Sequence, residues 1–108
     1  MNDTALIVRV CSTADLAPGQ LMRAPTKLPI AVYNIDGEFY ATGDFCTHEK
    51  SSLSEEGYLD GDEIECGWHC ARFCVKTGAV TAPPASKPLP TYELRVENAE
   101  LYVVLPDE

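Results

Sequence analysis

Short apolar runs separated by turn residues follow one another along the whole chain. Many are β-branched or alternate apolar with polar positions, a pattern that predicts β-strands rather than helices. The predicted strands cover residues 6–10, 30–35, 38–42, 63–66, 73–76, 92–96 and 101–104. No stretch shows the apolar period of an amphipathic helix longer than about two turns. The sequence therefore predicts an all-β fold, an antiparallel sandwich or barrel.

Turn residues divide these runs, and two segments break their rhythm. Asp36-Gly37 is a strong signal for a two-residue hairpin, and a last hairpin is expected over residues 97–100. Residues 43–62 are expected to form a long loop. Residues 82–90 contain four prolines, including Pro83 and Pro84. This stretch is either a stiff surface connector or a rigid lid packed against a functional site.

Length and charge narrow the class of protein. A chain of 108 residues is expected to form one domain, residues 1–108. The net charge of -9 argues against nucleic acid and anionic membranes as partners. No run is long enough to span a bilayer, and the first residues lack the pattern of a signal peptide, so a cytoplasmic protein is expected. In that compartment the five cysteines are better explained as ligands and buried thiols than as disulfides.

Both histidines stand beside cysteines, in two short boxes of similar form. The first is Cys46-Thr47-His48 and the second is Cys66-Gly67-Trp68-His69, with seventeen residues between them. Two thiolates and two imidazoles make a ligand set for one metal centre. The spacing is that of a Rieske [2Fe–2S] site, in which two Cys hold one iron and two His hold the other.

Two other ligand arrangements stay open from the residues alone. Tetrahedral zinc also accepts two Cys and two His, but zinc-finger boxes usually pair like with like, whereas both boxes here are mixed. A cluster held by Cys46, Cys66, Cys70 and Cys74 would leave both histidines unexplained. The mixed boxes favour the Rieske centre, whose absorption between about 400 and 600 nm distinguishes it from a colourless zinc site.

Over nearly its whole length the chain resembles the Rieske-type ferredoxin components of bacterial aromatic-ring-hydroxylating dioxygenase systems. The resemblance includes residues 36–41 (DGEFYA), which lead into the first box, and residues 53–62 (LSEEGYLDGD). It continues through Glu65-Cys66, His69, residues 73–78 (FCVKTG) and the Pro-rich stretch. The FCVKTG string is similar to ferredoxins of the biphenyl, toluene and phenylpropionate dioxygenase group.

The resemblance implies a fold, a cofactor and partners. The fold would be an antiparallel β base with a small cluster-binding subdomain at roughly residues 43–76. One [2Fe–2S] cluster would be held by Cys46 and Cys66 on the inner iron and by His48 and His69 on the outer iron, nearer solvent. The protein would carry single electrons from a flavin-dependent NAD(P)H ferredoxin reductase to a terminal oxygenase, without being an enzyme itself.

Other functions are weighed against this one. The chain could be an electron-transfer or regulatory subunit of another oxygenase or reductase complex, or a zinc-stabilised binding module. A catalytic oxygenase usually needs a second iron site made of two His and a carboxylate. No histidine remains for such a site once the cluster is built.

The residues around the second box predict a low redox potential. High-potential Rieske proteins carry hydroxyl side chains two and four residues after the second His, where this chain has Ala71 and Phe73. They also join their two ligand loops by a disulfide, at the positions of Ser51 and Trp68. Without those hydrogen bonds to the cluster, the expected potential is about -150 mV. A further departure is Gly67, where the family usually has proline, so a less rigid turn is expected there.

Several residues near the boxes have two interpretations. Trp68 either shields the cluster from water or contacts a redox partner. Cys70 either fills a gap or is an exposed thiol that oxidises. Residues 36–65 hold ten acidic side chains against one lysine, which predicts that this stretch steers basic surfaces of the partners toward the cluster.

Overall fold

The computed structural model describes residues 6–47, 51–67, 71–83 and 87–105. Within these ranges the chain forms strands joined by short connections, with one α-helix, α1 (Leu53–Glu56), and a single 3-10 turn at Thr13–Asp15. The strands are β1 (Leu6–Ser12), β2 (Leu21–Arg23), β3 (Ile30–Ile35), β4 (Glu38–Gly43), β5 (Tyr58–Asp60), β6 (Glu63–Glu65), β7 (Arg72–Cys74), β8 (Val80–Ala82), β9 (Thr91–Glu97) and β10 (Glu100–Leu105). The predicted all-β class is confirmed.

The strands form two antiparallel sheets. The larger sheet has six strands in the order β1-β10-β9-β4-β3-β2, and the smaller has four in the order β5-β6-β7-β8. The larger sheet corresponds to the expected β base, and the smaller sheet carries the second box between β6 and β7. None of the helices in the described part of the chain is long and apolar enough to cross a membrane.

Strand β3 is buried at every position because both of its faces are covered. On one face Ala31, Tyr33 and Ile35 join a core that also contains Cys46 and Cys66. On the other face Ile30 and Val32 join a second core, to which β1 and β10 of the same six-stranded sheet also contribute. A strand with both faces buried reads as a continuous apolar run, which is the pattern of residues 30–33.

The predicted turns are confirmed, whereas one predicted loop is wrong in part. Asp36 and Gly37 have φ of 54° and 93°, the geometry of a two-residue hairpin turn. The last hairpin turns at Asn98 and Ala99, whose φ values are also positive. The expected loop over residues 43–62 instead contains α1 and β5. Elements of three or four residues are too short to show a period.

The ring of Tyr33 is buried, and its hydroxyl lies 2.9 Å from Oγ1 of Thr42. Burial raises the pKa of Tyr33 well above its ordinary value. The hydrogen bond with Thr42 opposes the shift, and the nearby Asp44 carboxylate adds to it. Tyr33 therefore stays protonated in the folded protein at a pH where the unfolded chain would ionise it.

We expect the free energy of unfolding to fall as pH rises above about 10, the ordinary pKa of tyrosine. The sign follows from linkage, because above that pH the unfolded state binds fewer protons than the folded state. Denaturant titrations from pH 8 to 11 would measure the slope. Tyr33→Phe should make the fall of the unfolding free energy at alkaline pH less steep. Tyr58→Phe, at an exposed ring, should leave that slope unchanged. Equal slopes in the two variants would contradict this assignment.

Candidate metal centre

The first box begins at the base of a closed loop. Phe45 and Ser52 form an isolated antiparallel bridge just after β4. One residue further in, the amide of Cys46 donates to the carbonyl of Ser51 at 3.0 Å. These contacts bring the two ends of the loop together. Cys46 is thereby held at the point where the paired strands end.

The second box is built in the same way between β6 and β7. The amide of Cys66 donates to the carbonyl of Ala71 at 2.7 Å, directly after the paired residues Glu65 and Arg72. As in the first loop, the bond runs from a cysteine amide to the carbonyl five residues later. The two cysteines therefore occupy equivalent positions at the bases of two loops, and each loop contains one histidine in its sequence.

Both cysteine side chains lie in one apolar environment. Cys46 is 4% exposed and Cys66 is fully buried, and both belong to the same core cluster. That cluster also contains Leu53, Ile64 and Phe73. Thiolates that share an apolar core are stabilised by a cation bound between them, because a buried charge is costly without an opposite charge. The donor set therefore fits an iron held by two thiolates on the inner side of the loops.

Five predicted site residues lie outside the described residues: His48, Trp68, His69, Cys70 and Pro84. Among the residues that are described, no group of three or more potential metal ligands comes together. The structure thus brings together the two cysteines of the predicted ligand set, and the roles of the two histidines stay predictions.

The backbone before the first box is anchored by a buried aspartate that the sequence did not single out. The carboxylate of Asp44 accepts from Ser52 Oγ at 2.7 Å and from the amide of Ser54 at 2.8 Å. Its own amide donates to the carbonyl of Pro29 at 3.0 Å. Arg23 lies 3.8 Å from the same carboxylate. Asp44 therefore connects the end of β4 with the start of α1, across the base of the first loop.

Helix α1 reaches from the first loop to the second. Ser52 caps its start, because its side chain accepts from the amide of Glu55. At its end, the Glu56 carboxylate accepts from Ser51 Oγ at 3.2 Å. The carbonyl of Glu56 lies so near Gly67 that a Cβ there would be 2.0 Å from its oxygen. Gly67 thus permits a close approach of the second loop to α1.

The two residues after the second box that are expected to affect the redox potential have no hydroxyl groups. Ala71 and Phe73 are both fully buried. Ala71 also supplies the carbonyl that closes the loop. Their proposed influence on the potential stays a prediction.

The Pro-rich stretch contacts the first box. Oγ1 of Thr47, the residue between the two predicted ligands, donates to the carbonyl of Lys87 at 2.7 Å. Leu89 is buried in the core cluster that contains the two cysteines. Pro83 is exposed, and its role in docking stays a prediction. The segment is therefore joined to the first loop by a hydrogen bond and to the core by a side chain.

Arg72 changes the picture of the acidic stretch. It donates to Asp60, Glu63 and Glu65 at 2.9, 2.9 and 3.1 Å, and so ties β7 to β6 and β5. The hydrogen bonds that Arg72 donates to Asp60 and to Glu63 raise the pKa of its guanidinium above the ordinary value. Because Arg72 lies beyond the acidic run in the sequence, only strand pairing shows that it neutralises part of that run. Asp44, also in the run, is buried and cannot face a partner.

Two further cysteines lie away from the bases of the loops. Cys11 is buried in the second core, and burial raises the pKa of its thiol above the ordinary value. Cys74 is half-buried on β7. The prediction of buried thiols is confirmed for Cys11 and is only partly right for Cys74.

Comparisons with known proteins agree with this geometry. A family model for the Rieske [2Fe-2S] domain matches residues 7–93. The chain is 45% identical over 96 residues to the biphenyl dioxygenase ferredoxin subunit of Pseudomonas sp. (strain KKS102), with 88% of each chain covered. It is 42% identical over 103 residues to the ferredoxin component of the p-cumate 2,3-dioxygenase system of Pseudomonas putida, covering 94% of this chain and 87% of that protein.

Solved structures show the same likeness. One chain from a complex of reduced oxygenase and oxidized ferredoxin in carbazole 1,9a-dioxygenase matches with a TM-score of 0.90 and 40% identity, over 97% of this chain and 98% of that chain. The predicted Rieske fold and the resemblance to dioxygenase ferredoxin components are confirmed, and the cofactor is one Rieske [2Fe–2S] cluster. The chain belongs to the family of Rieske [2Fe-2S] domain proteins.

Proposed function

We propose that this protein is a low-potential electron carrier of a multicomponent aromatic-ring-hydroxylating dioxygenase system. It accepts single electrons from a flavin-dependent NAD(P)H ferredoxin reductase and passes them to a terminal oxygenase, and it performs no catalysis itself. The cluster, when bound, supplies a site that gains and loses one electron. The chain's own residues hold that site, limit its contact with water and present it to partners.

The observation that carries this proposal is the matched pair of loops. Cys46 and Cys66 are buried at equivalent positions in one apolar core. In the proposed ligand set they hold the inner iron, while His48 and His69 hold the outer iron and face the partner. The relatives at 45% and 42% identity are named as ferredoxin parts of dioxygenase systems, which supports the same role here.

The proposal includes the organisation and location of the chain. Residues 1–108 form a single Rieske domain, with a cluster-binding subdomain at roughly residues 43–76 and a Pro-rich loop at residues 82–90. The cytoplasm is the proposed compartment, because reductases that use NAD(P)H meet their substrate there.

Reconstitution tests the function directly. The purified protein should contain two iron and two sulfide ions per chain and should titrate near about -150 mV. With a ferredoxin reductase and an aromatic-ring oxygenase of a biphenyl-type system, substrate turnover should depend on its addition. His48→Ala and His69→Ala variants should each fail to support turnover. A midpoint above about 0 mV, or turnover that does not need the protein, would overturn the proposal.

The rate of partner reduction should fall as salt is added. Four exposed acidic side chains remain in the described part of residues 36–65 after Asp44, the Arg72 partners and Glu56, which accepts from Ser51, are set aside: Asp36, Glu38, Glu55 and Asp62. Opposite charge on a partner would speed encounter, and salt would screen it. We expect a several-fold decrease in the second-order rate constant between about 0.05 and 0.5 M salt, measured by stopped-flow absorbance. A rate independent of salt would remove the steering role.

A further inference from the structure

The two ligand loops need a fixed separation, because one rigid cluster must be gripped from both sides. A covalent link between the loops is not available at the positions that high-potential relatives use, since Ser51 and Trp68 stand there. Within the described residues, α1 lies between the bases of the two loops and contacts both of them. The link between the loops must therefore be sought in non-covalent contacts of this helix.

Glu56 contacts both loops through two different groups. Its carboxylate accepts a hydrogen bond from Ser51, the residue whose carbonyl closes the first loop. Its main-chain carbonyl meets Cα of Gly67, the residue that follows Cys66 in the second loop. Since the amide of Glu56 also donates to the carbonyl of Ser52, its backbone is held in the helix.

We infer that Glu56 is a positioning residue that braces the two ligand loops at a fixed separation. Ser51 on one side and the bare Cα of Gly67 on the other are the two contact points of this brace. Where high-potential relatives use a disulfide, this chain uses a hydrogen bond and a close backbone contact. The inference rests on the proposed ligand set, because only then do both loops hold one centre.

The proposed brace predicts a different effect for a substitution at each of its two contact points: a lost contact at the first loop and steric crowding at the second. Loss of the carboxylate would remove one of the contacts that hold the first loop against α1, so the cluster would be released more quickly. A methyl group at Gly67 would press on the Glu56 carbonyl at 2.0 Å, well inside contact distance. The second loop would have to shift by about 1 Å or more, which would alter the geometry around the cluster.

The first experiment compares Glu56→Ala with Glu55→Ala in the cluster-loaded protein. Both residues are exposed on α1 and both changes remove one negative charge. The readouts are the half-life of the visible absorption in the presence of an iron chelator and the visible circular dichroism of the cluster. We expect a half-life shortened roughly fivefold in Glu56→Ala, which corresponds to the net value of one ordinary hydrogen bond at an exposed side chain, and little change in Glu55→Ala.

The second experiment asks whether Ser51 acts through Glu56. Ser51→Ala alone should shorten the half-life, but should have no further effect when it is added to Glu56→Ala. Gly67→Ala should change the circular dichroism of the cluster or prevent its retention. Gly43→Ala is the control, because its Cβ would meet only the side chain of Pro90, at 3.0 Å.

The outcomes separate this inference from the proposed function. Equal half-lives and equal spectra for Glu56→Ala and Glu55→Ala would overturn the brace, as would additive effects of Ser51→Ala and Glu56→Ala. If Gly67→Ala fails to fold, the comparison of the two glutamates still decides. Absence of a cluster from the unsubstituted protein would instead overturn the proposed ligand set.

Discussion

Cys66→Ala is expected to abolish the visible absorption of the protein and to lower its thermal unfolding temperature by roughly 10 °C or more. Cys66 is fully buried, at the base of the second loop. Because the cluster binds the folded chain and cannot bind the unfolded one in the same way, its binding energy adds to folding stability.

The control for this prediction is Cys11→Ala. Cys11 is buried to a similar extent, but it lies in the second core, together with residues of β1 and β10. Cys11→Ala also removes one buried thiol, but it should leave the visible absorption unchanged. Absorption spectra, iron and sulfide content, and thermal unfolding followed by far-ultraviolet circular dichroism would make the comparison. Retention of the chromophore in Cys66→Ala would remove Cys66 from the ligand set.

Part of this arrangement could be predicted from the sequence, because the signals are local. Asp36-Gly37 specifies a hairpin through the backbone freedom of its two residues, and the run at residues 30–33 specifies a buried strand. The boxes around Cys46 and Cys66 are local as well, since each places its potential ligands within four positions of the chain. Local signals of this kind do not depend on which strands become neighbours.

The features that position the loops depend on contacts between distant parts of the chain. Arg72 follows the acidic run in sequence, and only the register of β7 against β6 places it beside Glu63 and Glu65. Gly67 appeared as a departure that makes a turn less rigid. In the structure its missing side chain makes room for α1, an element too short to predict. The role of Gly67 is therefore explained by its packing against α1 and not by the flexibility of its turn.

The same contrast applies to the charges around the cluster. A count along the sequence treats all ten acidic residues of the stretch as one face, whereas the structure separates the nine that it describes by their contacts. Asp44 is buried and holds the first loop, three carboxylates share Arg72, and Glu56 accepts from Ser51. The other exposed carboxylates are the ones available to a partner. Structural and steering roles are therefore carried by different members of one acidic run.

Asp44→Ala is the second substitution for which a large effect is expected, about 2–4 kcal/mol of unfolding free energy. The carboxylate is fully buried and accepts from Ser52 and Ser54 at 2.7 and 2.8 Å. Alanine would leave both donors without this acceptor, in a site closed to water. Asp44→Asn keeps the shape and one acceptor oxygen, so its loss should be smaller.

Asp44 also connects both ends of the first loop, so its loss should reach the cluster as well as the fold. Denaturant unfolding would give the free energy, and the half-life of the visible absorption would report on Cys46. Asp62→Ala, at an exposed turn, is the control that removes the same charge without a buried contact. If Asp44→Ala lowered stability but left the half-life at the unsubstituted value, the aspartate would stabilise the domain without holding the ligand loop. A shorter half-life, with Asp44→Asn between the two, would show that the anchoring of α1 and the retention of the cluster depend on the same buried carboxylate.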